Sequence, residues 1–301
     1  MTAKPIDVVI LTEDRYVHPD LDDWYQAQIA HEEALVGDAL QALGLSVARR
    51  SWADPDMDWS ECGSVLFRST WDYFERFAEF SPWLEAVSAQ TRLFNEAGLI
   101  RWNVDKHYLA DLAQRGVAVV PTRFLARGAQ VSLASVMAEE GWDEIVFKPV
   151  VSGAARLTYR VSRSALAEHE AVFARCLAQE AMMVQRFEPA IVAEGELSLI
   201  VIDGRTTHAI RKTARAGDFR VQDDHGGTVH PHVPAADERA FAEAAVAACP
   251  SCPLYARVDF VRDPAGGFRL MELELVEPEL FFRFHPPAAQ ALASALAEKL
   301  Y

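Results

Sequence analysis

The chain is poor in several things, and each shortage excludes a class of protein. Only four of its 301 residues are cysteine (Cys62, Cys176, Cys249, Cys252), too few for a disulfide-stapled scaffold. The Cys249-Pro-Ser-Cys252 pair has no second ligand pair to complete a zinc site. It also follows an Ala-rich helical run, where a redox pair opens a helix after a strand. Positive charge is short as well. Twenty-nine basic residues against 44 acidic ones leave a formal charge of −15, which argues against a nucleic-acid-binding protein. No apolar run approaches the ~20 residues of a membrane helix, so no membrane partner is expected. The opening MTAKPIDVVILTEDRY lacks the basic and apolar regions of a signal peptide, and a cytoplasmic protein is expected. Finally, there is neither G-x-x-x-x-G-K-[ST] nor a strand-linked G-x-G-x-x-G, which excludes a P-loop and a Rossmann dinucleotide site.

What is present reads as mixed α/β and α+β. Ile6–Thr12 is a buried-strand pattern, followed by a helical run from about Ala30 to Leu43 that Gly44 stops. Two further strand ends and a helix over Tyr73–Ala89 complete an open α/β unit over residues 1–101. Ligands bind such sheets at the carboxyl ends of strands, and R-S-T-W-D-Y (Arg68–Tyr73) lies at one. There Arg68 can hold a substrate carboxylate, with Ser69 and Tyr73 beside it. The alternative is an Arg68–Asp72 structural pair, with Trp71 and Tyr73 as packing.

Residues 102–186 form a second unit. A helix starts at Asn103 or Asp105 and stops at Gly116; strands follow in VAVVPTRFL, EIVFKPVV, LTYRV and AMMVQRF, with a short helix over Ser132–Glu140. Residues 187–301 form the third. It holds a hairpin turning at Asp203-Gly204, a helix over Ala235–Ala248, a second hairpin and a final helix. His225, Gly226, His230 and His232 fall in a loop marked by glycines and Pro231, a flexible substrate-side segment rather than a metal site.

The second hairpin, LYARVDFVRDPAGGFRLMELELVEPEL, raises the chemical question. Folding it about Ala265 sets Asp259 opposite Glu272, with cross-strand Cβ atoms ~5 Å apart. Glu274 and Arg257 share that face. Like charges in such proximity destabilise a sheet unless something compensates. A hard cation such as Mg²⁺, which takes oxygen ligands from carboxylates and phosphates, would do so; a solvated face is the alternative. Lys148 lies in the apolar run IVFKPV and is costly there unless paired or snorkelled to solvent. Ser152-Gly153-Ala154 follows it, small enough for backbone N–H groups to approach phosphate. Arg211, Lys212, Arg215 and Arg220 then cluster around one turn. Polyphosphate plus metal accounts for a basic cluster beside an acidic hairpin.

The ordered fragments NVDK, VPT, VFKPVVSG, VQRFEP, EGELSLIVIDG, GDFR, HGG, ARVDFV and MELELVEP resemble the ATP-grasp superfamily, nearest its glutathione synthetase-like and ribosomal-protein-glutamate-ligase-like branch. The resemblance spans about Asn103 to Pro278. RSTWDY and MELELVEPEL are similar to ligases of small-molecule biosynthesis, including cycloserine-forming cyclo-ligases. It implies an ATP-grasp fold behind an N-terminal pre-ATP-grasp domain. It further implies an ATP-dependent carboxylate–amine ligase with an acyl-phosphate intermediate, acting on a small amino-acid-like substrate. Lys106 and Lys148 would hold ATP phosphates under a lid at Ser152, Gly153 and Ala154. The hinge backbone of Gln185, Arg186 and Phe187 would read adenine, and Glu196 would lie near ribose. Asp259, Glu272 and Glu274 would hold two Mg²⁺ ions. Arg220, with Lys212 and Arg257, would face the transferred phosphoryl group. Three departures stand out: Glu274 where relatives often carry Asn, a single lid glycine, and Ser198 where glutathione synthetase has arginine. The alternatives are a small-molecule kinase on the same scaffold and a non-catalytic nucleotide-binding protein. Self-association as a homodimer is left open.

Overall fold

Three sheets follow one another along the chain, and the site lies where they meet. The computed structural model describes residues 5–222 and 226–300. The first sheet is parallel, in the order β2-β1-β3-β4. It begins with β1 (Ile6–Thr12), continues through α1 (Trp24–Ala42), β2 (Val47–Ser51), β3 (Cys62–Ser69), α2 (Phe77–Ser88) and β4 (Arg92–Phe94), and leads into α3 (Ala97–Asn103). Val8, Val9, Ile10 and Leu11 are buried, as a strand covered on both faces requires. The first helix starts six residues before the expected Ala30, because the Asp23 side chain accepts the N–H groups of Tyr25 and Gln26. The expected helix from Tyr73 instead starts at Phe77, after a turn.

Around α4 (Tyr108–Gln114) the expectation needs a larger correction. Asn103 caps no helix start; it is the last residue of α3. Gly116, in the left-handed region at φ 91°, does end the segment. The second sheet is antiparallel, ordered β5-β8-β6-β7, and is built from β5 (Thr122–Leu125), β6 (Glu144–Pro149), β7 (Tyr159–Ser162) and β8 (Met182–Arg186). Two helices cover it, α5 (Leu133–Glu140) and α6 (Leu166–Gln179). The reading of the sequence passed over α6, although Phe173, Cys176 and Leu177 at helical spacing mark its buried stripe.

The third sheet follows the short α7 (Ala190–Ala193). Its strands are β9 (Glu196–Ile202), β10 (Arg205–Thr213) and β11 (Thr228–His232), then, after α8 (Ala236–Ala247), β12 (Tyr255–Arg262) and β13 (Phe268–Glu274). The order is β11-β10-β9-β12-β13. His230 and His232 therefore lie in an edge strand, not a loop; Pro231 is tolerated there because edge strands leave N–H groups unpaired. His225 lies outside the described residues. The last helix, α9 (Pro287–Leu300), packs on α1, and Val36, Leu40, Ile200, Ile202, Leu292 and Leu296 share one core that joins the first and third sheets.

β13 is an edge strand, yet its outer side is covered. The Asn103 amide donates to the Leu273 carbonyl (2.8 Å) and accepts the Leu275 N–H (2.9 Å). The Tyr108 hydroxyl accepts the Leu273 N–H (3.0 Å), and Val119 bridges Leu270. Three connections from the chain around α3 and α4 thus fix the strand that carries the acids.

Candidate active site

The hairpin register is the one the sequence implies: Asp259 faces Glu272 and Arg257 faces Glu274. A bulge falls one step further on, between Asp259 and Phe260, where Met271 is the extra residue. The acids stand over a cavity of about 490 Å³, lined by strands of the second and third sheets and by α1 and the segments that follow β1 and β3 of the first.

The charges on its floor hold one another. Glu272 binds Lys106 at 3.0 Å and faces Lys148 at 4.0 Å. Lys106 also donates to the Ser152 carbonyl (2.6 Å), so the lid, the lysine and the acid are connected. Arg257 reaches both Asp259 oxygens, at 3.0 and 3.1 Å, and Glu274. Lys212 sits between Glu196 (2.5 Å) and Asp259 (3.2 Å). Burial works to raise the Glu272 carboxyl, but Lys106 and Lys148 outweigh it and hold the group well below the usual carboxylate range. Burial pushes Glu274 up to about 7, with Glu272 and Asp259 adding to it against Arg257. Burial also lowers Lys148, partly offset by Glu272.

The three hairpin acids are not equivalent. Glu272 and Glu274 keep 28% and 26% of their side chains exposed, towards the cavity, while Asp259 keeps 3%. Ser198 donates its hydroxyl to Asp259. Asp259 lies behind Glu272 and Glu274, fully engaged by Ser198, Lys212 and Arg257; to reach an ion it must release one of them. Among the described residues no group of three or more His, Cys, Asp or Glu can hold a metal unaided. Two accessible carboxylates suit a divalent cation that takes its remaining ligands from phosphate and water. The donor set therefore fits Mg²⁺ with a polyphosphate, and the four cations of the floor fit the polyphosphate.

The lid and hinge line the same cavity. A Cβ on Gly153 would come within 2.6 Å of the Phe74 ring, so a larger residue would have to push that ring aside. Ala154, Ala155 and Leu157 all have positive φ, a strained backbone of the kind that gathers at ligand clamps. Arg156 anchors this loop through Glu180 at 2.6 and 3.0 Å. At the hinge, one expectation changes. The N–H groups of Arg186 and Phe187 are already spent on the carbonyls of Pro121 and Glu144. Among the described residues the N–H of Glu188 has no such partner, and Glu188 lines the cavity. Arg220 is on the wall too, held by Asp218 at 2.7 Å.

The substrate-side expectations fare differently. Tyr73 lines the cavity. Arg68 does not: it is 3% exposed, donates to Glu32 (2.6 Å) and the Pro278 carbonyl (2.9 Å), and lies over the rings of Tyr255 and Phe282. It is turned away from this cavity, and its partner is not Asp72, which instead accepts from Trp52 and Arg76. Ser69 is likewise buried, on Thr12 and Glu33. Gly226 sits beside Arg215, off the cavity wall. The wall holds residues that sequence reasoning left unassigned: Tyr16, Tyr25, Trp71, Phe281 and Glu277. Of these, Glu277 stood in the quoted MELELVEPEL, three residues beyond Glu274, but nothing local marked it as site rather than turn.

Comparison with known proteins agrees with this geometry. Residues 8–95 match the model of the D-cycloserine synthetase DcsG N-terminal domain. The cycloserine biosynthesis protein DcsG of Streptomyces lavendulae is 37% identical across 87% of this chain and 92% of its own. This chain belongs to the D-cycloserine synthetase family of ATP-grasp ligases. The crystal structure of D-cycloserine synthetase DcsG superposes with a TM-score of 0.84 at 32% identity, covering 98% of this ligase and 99% of that chain. A glutathione synthetase of Prochlorococcus marinus (strain MIT 9313) is 34% identical over 34% of this chain and 33% of its own. The ATP-grasp ligase PsnB, in a complex with a precursor variant, Mg and ADP, shares the fold (TM-score 0.64, 15% identity, covering 98% and 99% of the two chains). No helix among the described residues of this ligase is long and apolar enough to cross a membrane.

Proposed function

We propose that this ATP-grasp ligase joins a carboxylate to an amine on a small amino-acid-like substrate, with ATP and two Mg²⁺ ions, and that the amide closes within one molecule, as a role in cycloserine biosynthesis would require. The carrying observation is the cavity floor, where Lys106, Lys148, Lys212 and Arg257 surround two accessible carboxylates. A carboxylate oxygen of the substrate bonds to the γ-phosphorus as its bond to the ADP oxygen breaks. The neutral amine then attacks the acyl carbon, phosphate leaves, and the proton lost from nitrogen goes to the departing phosphate. Glu272 and Glu274 would hold Mg²⁺, which supplies charge neutralisation between the phosphates. Lys106 and Lys148 hold phosphate oxygens, and Lys106 ties that grip to the lid through Ser152. Lys212, Arg257 and Arg220 offset the charge that develops on the transferred group. Asp259 positions Arg257 and Lys212. The hinge reads the base through the Glu188 N–H, and the lid excludes water. A panel of D- and L-amino acids, incubated with ATP and Mg²⁺, tests this. An active member yields ADP, phosphate and an amide; a stable phosphorylated product instead makes the protein a kinase, and ATP binding without turnover on any member makes it a binding protein.

A further inference from the structure

We infer that Glu277 is the seat for the α-ammonium group of the substrate, distinct from the amine that closes the amide, and that the aromatic wall around it selects amino acids over their uncharged counterparts. This rests on the ligase reading above and deepens it. The inference starts from an imbalance among the carboxylates of the cavity. Glu272, Glu274, Glu196, Glu188 and Glu279 each hold a lysine or arginine. Glu75 is exposed at the rim. Glu277 is half-buried, lines the cavity, and has no cationic partner among the described residues.

An uncompensated carboxylate in such a place is costly, and a bound cation removes the cost. Its surroundings select the kind of cation. The indole N–H of Trp71 donates to the Glu277 carbonyl (2.8 Å), which fixes that ring beside the residue. Tyr16 meets Trp71 edge-on and Tyr25 meets it at a tilt, with ring centroids 5.7 and 6.0 Å away, and Tyr73 and Phe281 complete the wall. Aromatic faces around a carboxylate favour an organic ammonium. A metal ion would need further oxygen ligands, which these rings do not supply. Glu277 stands three positions beyond Glu274, with Cα atoms at most about 11 Å apart, so the ammonium seat lies beside the charged floor.

The test uses the whole enzyme. Phosphate release is measured with D- and L-amino acids that carry a second amine on the side chain, the one that closes the amide, and, for each active one, with the α-hydroxy acid that keeps that side-chain amine; nucleotide binding is followed in parallel by calorimetry with a non-hydrolysable ATP analogue and Mg²⁺. The active amino acid should outperform its hydroxy acid at least a hundredfold in kcat/KM. Glu277→Gln should raise the KM of the amino acid at least tenfold and leave the nucleotide Kd within twofold. Glu277→Asp, which retains the charge, should recover part of the loss. Equal use of the hydroxy acid, or an unchanged amino-acid KM in Glu277→Gln, overturns the assignment. So does the absence of phosphate release with every amino acid while the nucleotide still binds, and that result leaves the ATP site standing. A wild-type enzyme that binds no nucleotide overturns the ligase reading as well.

Discussion

Arg68 and Arg257 are both buried arginines on strands, each beside glutamate, yet they do different work. Arg68 closes a seam between the first sheet and the chain after β13. Its partner Glu32 also accepts the N–H groups of Leu280 (2.7 Å) and Phe282 (3.2 Å), so that carboxylate is satisfied within the fold. Arg257 opens on the cavity, and its partner Glu274 keeps a quarter of its side chain exposed there. The difference teaches that burial alone does not mark a functional charge. What marks it is a partner with bonding capacity left over and a space in which to use it.

Removing a charge on the open side should damage the reaction and spare the fold. Glu272→Gln is expected to lower turnover about a thousandfold (~4 kcal/mol), with the thermal midpoint little moved; near-wild-type turnover at ordinary Mg²⁺ would remove Glu272 from the metal site. The locked side should behave in the opposite way. Arg68→Ala leaves Glu32 buried without its cation and should cost about 3–5 kcal/mol in denaturant unfolding, while KM for both substrates in the folded fraction stays put. A selective rise in the KM of the organic substrate would return Arg68 to the site.

The same seam contains a pH-sensitive group. His208 donates to the Leu280 carbonyl (2.9 Å), and burial lowers its pKa to about 4. It is neutral when folded, whereas the unfolded chain takes up its proton below pH ~6.5. Its contribution is therefore complete above pH ~6.5 and declines as pH falls towards 4, by about 3 kcal/mol. Unfolding free energies at pH 7 and 4 should drop by about that much more in the wild type than in His208→Gln. The smallest effect is expected for nucleotide grip. Lys148→Ala should weaken ATP about tenfold, and Lys299→Ala, whose lysine pairs with Asp203 on the surface, should not change it. Equal affinities by calorimetry would place Lys148 outside the phosphate site.

Much of the floor was legible along the chain because strand alternation is a local rule. Once β12 and β13 were recognised, their period of two placed Asp259, Glu272, Glu274 and Arg257 on one face, and the short Pro/Gly turn set the register. Lys148 stood out for an equally local reason, a charge inside an apolar run. Helix limits were less legible. Asp23 competes with later residues as a start signal, and Asn103 looks like a cap while it serves as a clamp for β13.

The sequence by itself determined most of the strands, the acidic face, the charge of Lys148 within an apolar run and the family, since these rest on residue type, short spacing and the order of motifs. Only the tertiary structure decided which charges are already neutralised. It turned Arg68 towards Glu32, 36 residues away, gave Asp259 to Lys212 and Ser198, and left Glu277 facing the cavity without a cationic partner among the described residues. Those outcomes depend on contacts between segments far apart in sequence, and no local period encodes which of several carboxylates a given cation will reach.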